Sequence, residues 1–113
     1  FADFLCVYIE EAHATDEWPI SSARYNNGQV CSIKQPKTNP ERYDVVRKFK
    51  ENFNVQMPIA FDSPELNNPF EQNYAPWPLR LFVIRNDKID FVASPQDCTY
   101  DVSKLSEYLE THV

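Results

Sequence analysis

The run Asp3-Phe4-Leu5-Cys6-Val7-Tyr8-Ile9 limits what this chain can fold into more than any other stretch. Its nearly unbroken apolar pattern is that of a parallel strand covered on both faces, and it predicts a central strand. A parallel neighbour needs a crossover, and the sequence supplies one. Thr38-Asn39-Pro40-Glu41 carries a helix start, with Thr38 or Asn39 as cap, Pro40 in the first turn and Glu41 placed for a capping box. The helix is expected to run to about Asn52 and to lay a stripe of Val45, Val46, Phe49 and Phe53 on a sheet. Met57 to Phe61 then reads as the second strand.

Glu65 to Tyr74 has the composition of a short helix interrupted early by Pro69, and Ala75-Pro76-Trp77-Pro78 forces an extended or turning chain. Leu79 to Arg85 and Ile89 to Ala93 predict a hairpin through Asn86-Asp87-Lys88. Val102, Leu105, Tyr108 and Leu109 mark a closing amphipathic helix, with Asp101 or Ser103 near its cap. A helical crossover followed by a hairpin and a helix predicts an α/β sheet with an antiparallel edge. This is the order of a thioredoxin-like three-layer fold without its first strand and helix. Pro78 falls where such folds carry a cis-proline, so the Trp77–Pro78 bond is expected to be cis.

A chain of 113 residues, 42% of them hydrophobic, suits one domain over residues 1–113. A net charge of −6 without a Lys/Arg cluster excludes nucleic acid or an anionic membrane surface as the main partner. The apolar runs Phe4 to Ile9 and Leu79 to Ile84 fall far short of the roughly 20 residues that span a bilayer, and no signal or transmembrane segment is read in the chain. Cys6, Cys31 and Cys98 are odd in number and lack C-x-x-C spacing, which fits neither a disulfide framework nor a structural zinc site. Cys6 reads as a buried, inert core thiol, and Cys31 and Cys98 as loop residues. The opening at Phe1, directly into a strand, is how a fragment begins. The isolated chain is accordingly expected to fold poorly, with its first strand left as an open edge.

The segment from Glu10 to Lys37 is polar and irregular, with turn signals at Trp18-Pro19, Asn26-Asn27-Gly28 and Gln35-Pro36. Loops of this length in small domains usually carry function. Glu10, Glu11, His13 and Asp16 cluster just past the carboxyl end of the first strand, where open α/β sheets bind ligands. His13 reads as a proton donor or nucleophile-activating cation supported by a carboxylate such as Glu11, or as an incidental histidine in a solvated acidic loop. Trp18 reads as a loop anchor or as an aromatic wall for a hydrophobic substrate. Arg80 is equally a solvent-facing strand residue or a guanidinium aimed at an anionic substrate group. Glu10-x-x-His13 occurs once, on a loop, and His112 sits near the far end of the chain, so no metal site is assigned.

The stretch from Asp3 to Trp18, with Tyr8-Ile9-Glu10-Glu11-Ala12-His13-Ala14 at its centre, resembles the signature of the iodothyronine deiodinase family, in which a strand ends in Y-I-E-E-A-H-A and continues to D-G-W. Ile33-Lys34-Gln35, Glu41-Arg42, Asn67-Asn68 through Tyr74, and Leu79-Arg80-Leu81-Phe82-Val83-Ile84 are similar to later landmarks of that family. The resemblance weakens after about Val92. It implies a selenoprotein-type, thioredoxin-like oxidoreductase of thyroid hormone metabolism, which removes iodine from iodothyronines. In that chemistry a selenolate takes the halogen, a proton goes to the ring carbon, and a thiol or thioredoxin-type reductant restores the enzyme. Carried over, Glu11 and His13 match the catalytic carboxylate and histidine, Arg80 an arginine that holds the substrate, and Tyr8 a tyrosine close to the site. Trp18 joins them as a candidate contact for the small aromatic iodinated substrate.

The resemblance also implies departures. The family's G-S-C-T-U-P-P-F-like segment, with its selenocysteine or cysteine nucleophile, would lie upstream of Phe1, so the chain alone is expected to be inactive and to hold no cofactor. A family histidine after I-R-Q is replaced by Pro36, as in deiodinase-like proteins of simpler organisms whose substrates need not be thyroid hormones. G-x-P-G-P after the hairpin is here Ala93-Ser94-Pro95-Gln96-Asp97-Cys98. Family members are often anchored to membranes by an N-terminal segment that this chain does not contain, and a homodimer is compatible with the resemblance. The competing reading is a catalytically silent thioredoxin-like binding module.

Overall fold

The computed structural model describes residues 2–19, 33–94 and 102–112. Asn26-Asn27-Gly28, Cys31, Cys98 and Asp101 lie outside them. The elements are β1 (Cys6–Tyr8), α1 (Asn39–Phe53), β2 (Ile59–Phe61), a 3₁₀ turn (Pro64–Leu66), α2 (Pro69–Tyr74), β3 (Leu81–Arg85), β4 (Lys88–Ala93) and α3 (Ser103–His112). The mixture of helix and strand is α/β in character. Two compact units are present, Phe4–Ala75 and Pro76–Val113 with Phe1–Asp3.

In the unit Phe4–Ala75, β1 and β2 pair in parallel with Cys6 opposite Ile59, Val7 opposite Ala60 and Tyr8 opposite Phe61. Helix α1 connects them, as the crossover requires. Its start is the one the sequence predicts: Thr38 is extended, its hydroxyl accepts from the Glu41 N–H at 3.3 Å, and it donates to the Glu41 carboxylate at 2.9 Å. The helix ends where Asn54 turns left-handed (φ 51°) and the Val55 N–H reaches back to the Lys50 carbonyl at 3.1 Å. Val46 is buried, Val45 and Phe49 are half-buried, and Phe49 meets the Tyr8 ring edge-on at 5.3 Å. Phe53, expected on the same stripe, is the last helical residue and is 70% exposed, with its ring 5.3 Å from that of Phe49.

Two expectations are corrected in this unit. The first strand is not covered on both faces over its whole run: only Cys6–Tyr8 is strand, half-buried, and Phe4 and Leu5 are exposed. Among the described residues β1 has one strand neighbour, so the apolar run outlasts the pairing that would cover it. Pro69 does not interrupt a helix but opens one. A proline lacks the N–H that a first helical residue leaves unpaired anyway, so the segment divides into the 3₁₀ turn and α2.

In the other unit β3 and β4 form the expected antiparallel hairpin, with Arg85 opposite Lys88 and an irregularity between Val83 and Ile84. The turn is shorter than expected. Asn86 and Asp87 alone make it, both at positive φ, as a type I′ turn demands of its two central residues. Among the described strands, β1 pairs with β2 and β3 with β4, each as a two-stranded sheet within its own unit. Helix α3 packs on β4 through the Tyr108 ring, 5.1 Å from Phe91, while the Tyr108 hydroxyl donates to Asp90. Leu105, Tyr108 and Leu109 are half-buried, whereas Val102 precedes the helix and is exposed. The Trp77–Pro78 bond is cis. No helix is long and apolar enough to cross a membrane among the described residues.

Candidate functional site

The polar residues after β1 are organised from below by a side chain of α1. The apolar stripe Val46, Phe49, Phe53 continues one turn earlier to Arg42, which is 1% exposed. Its Nη1 donates to the Asp62 carbonyl at 2.8 Å and to Asn68 Oδ1 at 2.6 Å, and its Nη2 to Gln35 Oε1 and the Pro36 carbonyl, each at 3.4 Å. Nε has no partner. Burial pushes the guanidinium pKa down, opposed by the charges of Glu10, Asp62 and Glu11.

Two amides carry this anchoring to the carboxylates. Gln35, 4% exposed, brackets the Glu11 backbone: Oε1 accepts from the Glu11 N–H and Nε2 donates to the Glu11 carbonyl, both at 3.0 Å. The same Nε2 donates to Glu17 at 2.7 Å, and the Gln35 N–H donates to Asp16 at 2.9 Å. These bonds favour the charged carboxylates. Asp16 is held below its ordinary range chiefly by the Gln35 N–H, and Glu17 chiefly by the Gln35 amide and then by Lys37, 3.1 Å away. Asn68 performs the second transfer, with Nδ2 donating to Glu10 Oε1 at 2.6 Å.

Asp62, 3% exposed, completes the frame. Its N–H donates to the Tyr8 carbonyl at 2.8 Å, extending the β1–β2 pairing, and its two carboxylate oxygens accept the Phe70 and Glu71 N–H groups, each at 2.8 Å. Asn68 is itself left-handed and makes no side-chain cap, so Asp62 supplies the first turn of α2 with its acceptors.

On this frame the predicted residues fall as follows. The Tyr8 hydroxyl donates to Glu11 Oε1 at 2.5 Å, at the short end for a hydroxyl on a carboxylate. His13 does not share that carboxylate. Its Nδ1 lies 3.1 Å from the Trp18 carbonyl, and its ring sits 4.9 Å from the indole at 55°. A carbonyl can only accept, so Nδ1 carries a proton and Nε2 is the nitrogen left to take up or release one. Trp18, 62% exposed, thus both fixes the His13 ring and presents an open aromatic face. The turn between them closes over Ala14, fully buried, with the Glu17 N–H on the Ala14 carbonyl at 3.1 Å.

Arg80 belongs to the other unit. It precedes β3 rather than lying within it, is half-buried, and donates to the neighbouring Leu79 carbonyl at 2.8 Å. Cys6 is half-buried, and desolvation pushes its thiol pKa up, as an inert thiol requires. No group of three His, Cys, Asp or Glu side chains converges as a metal-binding set among the described residues.

Gln35, Arg42, Asp62 and Asn68 are the hydrogen-bonded neighbours of these residues that chemical reading of the sequence passes over. One signal was available. Arg42 stands four residues before Val46, so a charge interrupts the buried helical face, which is rare unless the charge is held by partners.

Residues 1–113 match the family model described as iodothyronine deiodinase. The chain is 31% identical to thyroxine 5-deiodinase of Gallus gallus over 111 residues, 98% of this chain and 40% of that protein. It is 29% identical to type I iodothyronine deiodinase of Xenopus laevis (96% of this chain, 39% of that protein) and 23% identical to type II iodothyronine deiodinase of Homo sapiens over the same shares. It therefore spans about two-fifths of the length of these relatives. With the Y-I-E-E-A-H-A segment seated at the end of β1 and the family model covering every residue, this chain belongs to the iodothyronine deiodinase family.

Proposed function

We propose that this chain is the part of a reductive deiodinase that supplies the proton and positions the substrate, in a thioredoxin-like fold whose nucleophile segment precedes it. The observation that carries the reading is the arrangement at the carboxyl end of β1: a short Tyr8–Glu11 bond beside a histidine whose Nδ1 is committed to Trp18. A selenolate or thiolate from the preceding segment would accept the iodine, and a thiol reductant would restore it.

This chain's own residues do the rest. Replacing C–I by C–H at an aromatic carbon needs one proton delivered to that carbon. His13 Nε2 is the donor in this reading, because Nδ1 is held and the ring cannot turn without losing the Trp18 carbonyl. Glu11, which accepts the Tyr8 hydroxyl, is in this reading the carboxylate that relays protons to His13 between turnovers. The exposed Trp18 face provides an apolar wall for an iodinated phenol.

Iodide release from thyroxine by the full-length protein with a dithiol reductant tests this reading. Reductant-dependent release is expected. Its absence, with the protein folded and the nucleophile present, would reject it. A deiodinase-like oxidoreductase with another substrate is the second reading, resting on Pro36, which stands where the resemblance implies a histidine in vertebrate-like members. That reading predicts turnover of simpler iodinated phenols without turnover of thyroxine. The silent binding module has no observation in its favour.

A further inference from the structure

We infer that Arg42 is a positioning residue for the catalytic carboxylate, holding Glu11 in place through the Gln35 amide and steadying Glu10 through Asn68. This rests on the proposed role of Glu11 and extends it to a side chain on another element.

Arg42 donates to four acceptors, two backbone carbonyls and two side-chain amide oxygens, all neutral. Such a buried cation has no contact ion pair among the described residues. Filling the same volume needs only a methionine or leucine, which would carry no desolvation penalty. What the guanidinium adds is direction. Gln35 Oε1 accepts from both Arg42 Nη2 and the Glu11 N–H, and two donors converging on one atom forbid the flipped amide, which would set NH₂ against them. With Oε1 pinned, Nε2 must point at the Glu11 carbonyl and Glu17. Both backbone groups of Glu11 are then held by one side chain, which fixes its Cα–Cβ direction and returns its carboxylate to Tyr8, three residues earlier. Nη1 does the same on the other side, since Asn68 Oδ1 accepts from Arg42 and its Nδ2 is left to donate to Glu10. A lysine cannot reproduce this. Its three donors radiate from one atom and cannot reach acceptors on the Gln35-Pro36, Asp62 and Asn68 segments together.

The test compares Arg42→Lys and Gln35→Leu with the wild type in the full-length protein, each alone and combined with Glu11→Gln. Gln35→Leu breaks the link while leaving Arg42 in place, and so decides the matter if Arg42→Lys does not fold. Two readouts are taken: steady-state deiodination over many turnovers, and hydrogen exchange at the Glu11 amide with the Val46 amide of α1 as internal standard. Either substitution should lower kcat about 10- to 100-fold, the usual cost of losing an orienting partner, with KM changed by less than about 2-fold. In the Glu11→Gln background the same substitutions should cost less than about 2-fold, because a residue that acts through Glu11 has nothing left to position. Exchange at Glu11 should accelerate while Val46 is unchanged. Equal losses with and without the Glu11 carboxylate, or exchange accelerated equally at Glu11 and Val46, would reduce Arg42 to a general packing role and overturn the inference. The exchange readout decides the positioning claim even if the wild type releases no iodide, an outcome that would reject the deiodinase reading alone.

Discussion

Replacing Asp62 by alanine removes both carboxylate oxygens that accept the Phe70 and Glu71 N–H groups at 2.8 Å, and leaves the Asp62 backbone bonds to Tyr8 and Arg42 in place. The loss is therefore confined to the first turn of α2 and to the field around Arg42. A hydrogen bond to a charged group contributes about 1.5–3 kcal/mol, so two would contribute about 3–6 kcal/mol if nothing replaced them. Phe70 and Glu71 are only half-buried, and water can reach the freed N–H groups, which brings the expected cost to about 2–4 kcal/mol. With a urea dependence of about 1–3 kcal/mol per molar for a small domain, the midpoint should fall by roughly 1–2 M. Asp62→Asn keeps one acceptor oxygen and should lose about half as much. The assay is urea unfolding of the full-length protein, paired with hydrogen exchange at Phe70 and Glu71. A midpoint within about 0.3 M of wild type, or faster exchange everywhere except in α2, would refute the assignment of Asp62 as the acceptor that starts this helix.

Thr38→Ala should cost about 1 kcal/mol by removing the side-chain cap of α1, whereas Thr38→Ser should cost a few tenths at most, both read from thermal or urea midpoints. Asp16 and Glu17 have pKa values lowered in the folded chain by Gln35, so the stability they contribute is complete above the ordinary carboxylate range and is lost as pH falls through the folded values. Unfolding midpoints measured from about pH 6 to about pH 2 should fall along an acid limb that Asp16→Asn makes shallower; an unchanged limb would remove Asp16 from this linkage. Cys6, with its thiol pKa raised by burial, should be alkylated by iodoacetamide several-fold more slowly than an unstructured cysteine, as followed by peptide mass spectrometry.

Local signals carried well from sequence to structure, because they depend on a few adjacent residues. Thr38 and Glu41 form the helix start within one turn, and Asn86-Asp87 closes the hairpin with backbone angles that these two residues tolerate. The carboxyl end of the strand, expected at Ile9 and found at Tyr8, and the acidic residues after it were visible to within one residue. Pro69 was misjudged because a proline inside a polar run marks a break and a start alike, and what selects the start is Asp62, seven residues back, offering two acceptors. The length of β1 was overestimated because the apolar pattern says which residues prefer burial, not how far a partner strand extends. The Arg42 network was illegible for a deeper reason. Gln35, Arg42, Asp62 and Asn68 are meaningful only once α1 lies over the β1–β2 pair and brings segments 24 to 58 residues apart into hydrogen-bond reach. Likewise Glu11 and His13 were read as partners from their spacing, and the structure instead pairs Glu11 with Tyr8 and His13 with Trp18.

The central claim is that His13 delivers the proton and is resupplied through Glu11. Single-turnover dehalogenation of an iodinated phenol by the full-length protein, comparing wild type with His13→Ala after folding has been verified, tests it most directly. A loss of the chemical step by about 10²- to 10⁴-fold is expected, the range for a positioned acid or base. Wild-type rates in His13→Ala would contradict the account and leave the histidine as a loop residue held beside Trp18.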